Sequence, residues 1–227
     1  MEMSALRREA AVAQDQLAQM RLRMVEEQLR ARGIHDERVL EAMAKVPREM
    51  FVGREYQRLA YTDRPLPIGA GQTISQPLMV ATMLEVLAVM LSDRVLEVGT
   101  GTGYEAAILG EMSAEVWTIE RQPLLAERAE TILAELGYGN VHVTLGDGTL
   151  GLREHAPYDK ILVAAGAPEA PPSLVAQLAE GGTMAVPVGN RLEQQLLVLR
   201  KANGAVSSSW HSLCCFVPLV GAEGWGP

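Results

Sequence analysis

The feature that most constrains this fold is a regular alternation of short apolar strands and helices between residues 94 and 188. The pattern predicts strands over residues 94–98, 115–119, 141–145, 160–164 and 183–188. Helices are predicted between them over residues 104–112, 123–136 and 172–179. Strands that alternate with helices form parallel sheets with helices on both faces. The sequence therefore predicts an α/β fold with a doubly wound, mostly parallel sheet.

The residues before this alternation predict an N-terminal helical extension. Residues 3–32 are rich in helix-forming side chains and contain neither glycine nor proline, so they predict a long helix that ends at Gly33. Asp36 is placed to cap a second helix over residues 37–45. A third helix is predicted over residues 77–90, with Ser75 or Gln76 near its N-cap, because proline suits the first turn of a helix.

The residues after the alternation predict an antiparallel hairpin at the edge of the sheet. Its strands are expected over residues 194–200 and 208–217, because Asn203 and Gly204 form a typical turn between them. We expect one compact unit in two parts. Residues 1–75 supply the N-terminal helices and a loop of the active site, and residues 76–227 form the core that binds the cofactor.

A glycine-rich loop follows the first strand of the alternation, with glycines at positions 99, 101 and 103. Glycine lets the main chain turn sharply and approach a ligand closely. A dinucleotide fingerprint needs its third glycine at position 104, where this chain has Tyr104, so NAD binding is disfavoured. The loop and Glu97 before it resemble motif I of S-adenosylmethionine-dependent methyltransferases of the Rossmann-like class.

Two acidic residues end the next two predicted strands. Glu120 ends the second strand, where its two carboxylate oxygens can accept both hydroxyls of a ribose. Asp147 ends the third strand between Gly146 and Gly148, which leave room for a flat adenine ring. The carboxyl ends of parallel strands share one edge of the sheet, so these groups are expected to converge with the glycine loop.

Residues 46–77 are dense in proline, glycine and polar side chains, and we expect a long loop that belongs to a functional site. Its second half resembles the signature of protein-L-isoaspartate O-methyltransferases, in Pro65-Leu66-Pro67-Ile68-Gly69 and Gly71-Gln72-Thr73-Ile74-Ser75. Similar pieces elsewhere include Val46-Pro47-Arg48, Gly146-Asp147-Gly148 and Phe216-Val217-Pro218-Leu219. The resemblance covers residues 20–220. Thr102 stands where many relatives have serine, and Cys214 and Cys215 stand in place of more polar residues.

The resemblance implies methylation of the free α-carboxylate of L-isoaspartyl residues in damaged proteins, the first step of repair through a succinimide. S-adenosylmethionine is the implied cofactor and S-adenosylhomocysteine the product. An α-carboxyl group has a pKa of about 3.5, so the acceptor is already ionised at neutral pH and needs no general base. Isoaspartyl peptides and proteins are the expected partners. The alternatives are a carboxyl methyltransferase with another peptide or small-molecule acceptor, and a cofactor-binding module without turnover.

The resemblance also assigns residues. Ser75 is the implied catalytic residue, which holds the substrate carboxylate, although the same serine could cap the helix that begins at Pro77. A nucleophilic serine is disfavoured, because no G-x-S-x-G motif surrounds Ser75. The acceptor is expected to contact Thr73, Ile74, Ser75, Val217 and Pro218. The cofactor is expected to contact Ile74, Glu97, Gly99, Thr100, Gly101, Thr102, Gly103, Tyr104, Glu120, Arg121, Gly146, Asp147 and Gly148.

Composition argues against several other classes of function. The 28 acidic residues outnumber the 20 lysines and arginines, and the resulting net charge of −8 disfavours nucleic-acid binding. The longest apolar stretches, residues 79–91 and 161–167, are shorter than the ~20 residues that cross a bilayer. The sequence does not begin like a signal peptide, so we expect a cytoplasmic protein. We also expect it to act as a monomer.

The cysteines and histidines indicate neither a disulfide scaffold nor a metal site. Cys214 and Cys215 are adjacent in the sequence, which makes a bridge between them strained. The 4 histidines are scattered and lack the spacing of metal ligands. We therefore expect free thiols and no bound metal.

Overall fold

The computed structural model describes residues 14–226. Within them, a small antiparallel hairpin of β1 (Leu66–Gly69) and β2 (Gln72–Ile74) precedes the main sheet. The main sheet has seven strands: β3 (Arg94–Val98), β4 (Glu115–Glu120), β5 (Val141–Leu145), β6 (Tyr158–Val163), β7 (Leu178–Gly189), β8 (Gln194–Ala202) and β9 (Ala205–Cys214). Their spatial order is β5-β4-β3-β6-β7-β8-β9.

The strand directions confirm the predicted doubly wound sheet. Strands β3 to β7 pair in parallel, whereas β8 and β9 pair antiparallel at one edge. The chain passes from β3 outward to β4 and β5, and then returns to β6 on the other side of β3. Ligands in such sheets bind beyond the carboxyl ends of the strands at the point where the order reverses. That point lies between β3 and β6.

Five α-helices follow Gly33 in the described part of the chain: α1 (Glu37–Lys45), α2 (Pro77–Leu87), α3 (Tyr104–Met112), α4 (Pro123–Glu135) and α5 (Pro172–Ala176). Helix α1 begins where the sequence predicts, because the Asp36 carboxylate accepts a hydrogen bond of 3.0 Å from the main-chain nitrogen of Arg38. Helices α3 and α4 are the crossovers from β3 to β4 and from β4 to β5.

The N-terminal helix is confirmed over residues 14–32, and its predicted start over residues 3–13 lies outside the described residues. It is α-helical to residue 23, π-helical over Met24–Leu29 and 3₁₀-helical over Arg30–Arg32. The helix ends as expected at Gly33, which has a φ of +98°. Glycine adopts this left-handed conformation at helix ends without the strain that a Cβ atom would add.

The prediction of one long loop over residues 46–77 is wrong. This segment contains two 3₁₀ helices, Arg48–Phe51 and Arg54–Leu59, followed by the β1–β2 hairpin. Each element is only three to six residues long. Such short elements show too few repeats of a hydrophobic period to be recognised from sequence.

Two of the boundaries that differ from the prediction have local causes. Helix α2 ends at Leu87, because Ala88 adopts a left-handed conformation with a φ of +51°. Strand β7 begins at Leu178, five residues before the predicted start at position 183. The glycines at 181 and 182 conceal this part of the strand, because glycine weakens the sequence pattern of a strand. The predicted helix before β7 is correspondingly shorter.

Alternate residues of the central strands enter two hydrophobic cores, one on each face of the sheet. On β3, Val95 belongs to the core that includes helices α1 to α4, whereas Leu96 belongs to the core that includes α5. Both residues are fully buried. Phe51, before position 75, and Leu84, after it, both lie in the core that includes helices α1 to α4. Residues on the two sides of position 75 therefore pack together.

Strand β9 forms an exposed edge of the main sheet. All residues from Ala205 to His211 are exposed, and the strand contains no Asp, Glu, Lys or Arg. Trp210 exposes 55% of its surface. The strand ends at Cys214, three residues before the predicted position 217, so the next residues turn toward the carboxyl edge of the sheet. In the part of the chain from 14 to 226, no helix is long and apolar enough to span a membrane.

Candidate active site

Three neighbouring cavities lie at the carboxyl edge of the sheet, where the strand order reverses. The glycine-loop cleft encloses about 130 Å³ and lies between Gly99, Glu120, Gly148 and Val220. The inner cavity encloses about 40 Å³ and is lined by Ser75, Gly101, Tyr104 and Glu105. The outer cleft encloses about 490 Å³ and is lined by Ser75, Met79, Leu192, Leu213 and Phe216. Thr73 and Ala164 border all three.

The glycine loop has the backbone conformation that the sequence predicts. Gly99, Gly101 and Gly103 have φ values of +98°, +56° and +92°. A Cβ atom on Gly101 would lie 3.2 Å from the Ile68 side chain, so the loop passes close to the β1–β2 hairpin. Glycine at these positions therefore allows both the sharp turn and the narrow space between the loop and the hairpin.

Glu120 supports the glycine loop from the end of β4. One carboxylate oxygen accepts a hydrogen bond of 2.8 Å from the Gly101 nitrogen, and the other accepts one of 2.9 Å from the Gln122 nitrogen. The residue is 5% exposed and lines the glycine-loop cleft. Each carboxylate oxygen can accept a second hydrogen bond, so Glu120 retains the capacity to bind a diol in the cleft.

The structure brings most of the predicted cofactor residues to two of the cavities. Nine of them line the glycine-loop cleft or the inner cavity: Ile74, Gly99, Thr100, Gly101, Thr102, Tyr104, Glu120, Arg121 and Gly148. Four others line none of the three cavities: Glu97, Gly103, Gly146 and Asp147. Each of the predicted acceptor residues, Thr73, Ile74, Ser75, Val217 and Pro218, lines at least one of the cavities.

Asp147 has a structural role in addition to any contact with a ligand. Its carboxylate accepts hydrogen bonds from the nitrogen and hydroxyl of Thr149, at 2.9 and 2.7 Å, and from the Ala222 nitrogen at 2.8 Å. Burial acts to raise the pKa of Asp147, but these hydrogen bonds outweigh it and lower the pKa below its usual value. Asp147 thereby fixes the segment that carries Val220 over the cleft.

Two buried carboxylic acids lie next to the glycine loop. Glu97 is fully buried, and one of its oxygens accepts a hydrogen bond from the Thr118 hydroxyl. Glu105, on α3, is 8% exposed and lines the inner cavity. Burial raises the pKa of both, to about 8 for Glu105, and the neighbouring Glu105 charge contributes to the rise at Glu97. In the described part of the chain, the Oε1 atoms of both residues lack hydrogen-bond partners.

Sequence reasoning did not select Glu105. The only signal is an acidic residue in the first turn of a helix that is otherwise apolar, from Tyr104 to Leu109. An acid near a helix N-terminus is common on protein surfaces, because it complements the helix dipole. Its burial in the inner cavity becomes visible only in the folded chain.

Arg48 was also missed, and it holds the main chain of the predicted catalytic residue. Its guanidinium is fully buried and donates to the Ser75 carbonyl at 2.6 Å and to the Ala60 carbonyl at 2.7 Å. The same group lies 4.8 Å from the centre of the Tyr104 ring. Arg48 therefore fixes the position at which Ser75 enters the cavities.

Of the two residues predicted near the N-cap of α2, Ser75 and Gln76, the structure places Gln76 there, so a capping role for Ser75 is wrong. Gln76 is the N-cap residue of α2 and its side chain makes no capping hydrogen bond, whereas the Asp63 carboxylate accepts a hydrogen bond of 3.0 Å from the Leu78 nitrogen in the first turn. Pro77, at the first helical position, has no N–H group that needs a partner. The Ser75 hydroxyl is thus not required by the helix, and Ser75 lines both the inner cavity and the outer cleft.

The outer cleft is mostly apolar. Leu192 and Leu213 are 85% and 70% exposed at its rim, and Cys214 and Cys215 are free thiols in its wall. Glu193 is the one charged residue among those that line it. Among residues 14–226, no group of three His, Cys, Asp or Glu side chains could hold a metal ion.

Comparisons with known proteins agree with this arrangement. A sequence model of the family described as protein-L-isoaspartate(D-aspartate) O-methyltransferase matches residues 20–224. A protein-L-isoaspartate O-methyltransferase of Koribacter versatilis (strain Ellin345) is 55% identical over 207 residues, which cover 91% of this chain and 93% of the relative. That of Methanoculleus marisnigri is 53% identical over 202 residues, covering 89% and 92%.

Solved structures show the same fold over most of the chain. A protein-L-isoaspartate O-methyltransferase structure has a TM-score of 0.82 and 29% identity, covering 91% of this chain and 67% of that one. A putative enzyme of the same name from Plasmodium falciparum, in complex with S-adenosyl-L-homocysteine, has a TM-score of 0.77 and 27% identity, covering 88% and 98%. On the extent of these matches, the chain belongs to the protein-L-isoaspartate(D-aspartate) O-methyltransferase family.

Proposed function

We propose that the three cavities divide between them the steps of protein-L-isoaspartate O-methylation. The chain is an S-adenosylmethionine-dependent enzyme that methylates the free α-carboxylate of L-isoaspartyl residues. One observation supports our assignment of the cavities most directly: all three meet at Thr73 and Ala164, with Ser75 between the inner cavity and the outer cleft. A methyl donor in the first two spaces and an acceptor in the third would meet there.

The residues of the glycine-loop cleft and the inner cavity fit S-adenosylmethionine. In our proposal, Glu120 accepts the ribose hydroxyls, and the apolar side chains of Ile119, Leu219 and Val220 contact the adenine ring. The remaining polar end of the cofactor occupies the inner cavity, where Glu105 has an unpartnered oxygen. An unpartnered buried carboxyl group is costly, so its presence favours a ligand that supplies a partner.

The outer cleft fits the acceptor polypeptide. When bound, S-adenosylmethionine supplies a methyl group activated by its sulfonium. The isoaspartyl α-carboxylate is ionised at neutral pH, because α-carboxyl groups have a pKa of about 3.5, so the protein need not remove a proton. In our proposal the Ser75 hydroxyl donates a hydrogen bond to that carboxylate, and Thr73 and Ile74 shape the space around it. The apolar walls exclude water and keep the reacting atoms aligned.

A pair of peptides that differ only in one linkage tests this function. We expect the isoaspartyl peptide to have a kcat/KM at least about a hundredfold above that of its aspartyl isomer, because the aspartyl isomer has no free α-carboxylate at that residue and leaves Ser75 without its partner. Methyl transfer from labelled S-adenosylmethionine gives both values. Equal values would favour another carboxylate acceptor, and cofactor binding without transfer to either peptide would indicate a binding module.

Replacing Ser75 with alanine tests its positioning role. We expect the methylation rate to fall about ten- to a hundredfold, the effect of losing one hydrogen bond to a charged group. Binding of S-adenosylhomocysteine should change less than threefold, and the melting temperature should hold, because Ser75 does not cap α2. Full activity of Ser75→Ala, or a covalent adduct on Ser75 detected by mass spectrometry during turnover, would contradict this role.

The cavities and the net charge also indicate which partners the enzyme has. We propose that the enzyme acts as a monomer, because one chain supplies the walls of all three cavities. The net charge of −8 supports the view that nucleic acid is not a partner. The cytoplasmic location stays a prediction, as does the division of the chain at residue 75.

A further inference from the structure

We propose that Glu105 binds the α-ammonium group of the methionine part of S-adenosylmethionine in the inner cavity. This inference rests on the proposed function, which places that end of the cofactor there. The inner cavity of about 40 Å³ has room for a small polar group only. Glu105 lines it from the first turn of α3, with 8% of its surface exposed.

The other polar side chains of the inner cavity are already engaged or are not anionic. The Thr100 hydroxyl lies 2.6 Å from that of Thr118, and the Thr102 hydroxyl donates to the Phe51 carbonyl at 2.7 Å. Glu105 is the one carboxylic acid among the residues that line this cavity. Its Oε1 atom is buried and has no hydrogen-bond partner in the described part of the chain. A cationic donor therefore fits beside Glu105.

A purely structural role for Glu105 would require an internal partner. Arg48 is a buried cation whose charge acts to lower the pKa of Glu105. Two of the Arg48 nitrogens donate to the carbonyls of Ala60 and Ser75, however, and no ion pair within 4.0 Å joins it to Glu105. Within residues 14–226, the fold thus provides Glu105 with a cavity and no direct counter-ion.

The charges that face Glu105 make its protonation depend on the ligand. Glu97 on β3 is buried nearby, and Tyr104 precedes Glu105 on α3. The Arg48 charge, from its 3₁₀ helix, acts on both Tyr104 and Glu105. Burial raises the pKa of Glu105 well above its usual value, which favours the protonated form in the ligand-free protein. A bound ammonium favours the ionised carboxylate. Cofactor binding at pH 7 should therefore release up to one proton.

Two ligands separate this subsite from the rest of the cofactor site. S-adenosylhomocysteine carries the amino-acid group, whereas 5′-methylthioadenosine lacks it and keeps the adenosine. By calorimetry, we expect Glu105→Gln to weaken the binding of S-adenosylhomocysteine about ten- to a hundredfold, as for a lost hydrogen bond between charged groups. The binding of 5′-methylthioadenosine should weaken less than twofold. Glu127→Gln, at an exposed position of α4, is the matched control and should change neither affinity.

Proton release gives a second readout that a structural role would not affect. Calorimetry in buffers of different ionisation enthalpy should show release by the wild type with S-adenosylhomocysteine, and none by Glu105→Gln. Should that variant fail to fold, Glu105→Asp keeps the charge and should lose affinity for S-adenosylhomocysteine alone. Equal changes for both ligands, or none, would overturn the proposal. A wild type that binds neither ligand would instead refute the proposed cofactor site.

Discussion

Replacing Glu120 with alanine is expected to weaken the binding of S-adenosylhomocysteine at least about a hundredfold, because two charge-assisted hydrogen bonds to the ribose are each worth about 1.5–3 kcal/mol. The variant also loses the acceptor for the Gly101 nitrogen, which Glu120 binds at 2.8 Å. The glycine loop should therefore be less ordered before the cofactor binds. Calorimetric titration of the folded variant measures the effect.

The control for this experiment is Glu127→Ala on α4, which removes an exposed carboxylate of the same charge. Its affinity should remain within twofold of the wild type. Thermal unfolding of both variants separates lost contacts from lost folding. An unchanged affinity of Glu120→Ala would show that the ribose is bound elsewhere and would remove the glycine-loop cleft from the cofactor site.

Replacing Arg48 with methionine should lower both stability and activity. The buried carbonyls of Ala60 and Ser75 would lose their donor, at a cost of about 1–3 kcal/mol each. For a protein of this size, a loss of about 3 kcal/mol lowers the melting temperature by roughly 6–12 °C. The methylation rate at matched folded fraction should also fall about tenfold, because the main chain at Ser75 is no longer fixed.

Arg54→Met is the matched control for this variant. Arg54 is exposed in the next 3₁₀ helix, so the same substitution should shift the melting temperature by no more than about 1–2 °C. Arg48→Lys keeps the charge but cannot present two nitrogens in the planar guanidinium geometry, and it should restore activity only in part. A stable Arg48→Met variant with wild-type kinetics would exclude a positioning role.

The main sheet could be predicted from sequence because its strands are buried on both faces. Such strands appear as short apolar runs between helices, and β3, α3 and β5 have the predicted bounds. The glycine loop and Glu120 could be predicted for a related reason. Both follow strand ends, and the topology of a doubly wound sheet brings those ends together whatever the surrounding residues are.

Residues 46–77 and their contacts could not be predicted in the same way. Arg48 acts on Ser75, 27 positions later, and this pairing depends on how two 3₁₀ helices and a hairpin fold over α2. Glu105 has no separate motif, and only burial distinguishes it from a surface acid at a helix start. The resemblance to the family indicated the importance of Ser75 without indicating what holds it in place.

The exposed β9 strand has a consequence for the purified protein at high concentration. Its outer main-chain groups have no strand beside them, and its ten residues lack the charged side chains that usually discourage pairing between molecules. Intermolecular addition of strands at this edge is the expected route of self-association. A lysine in place of Ser207 or Ser209, both exposed and far along β9 from its catalytic end, would block this route by mutual repulsion.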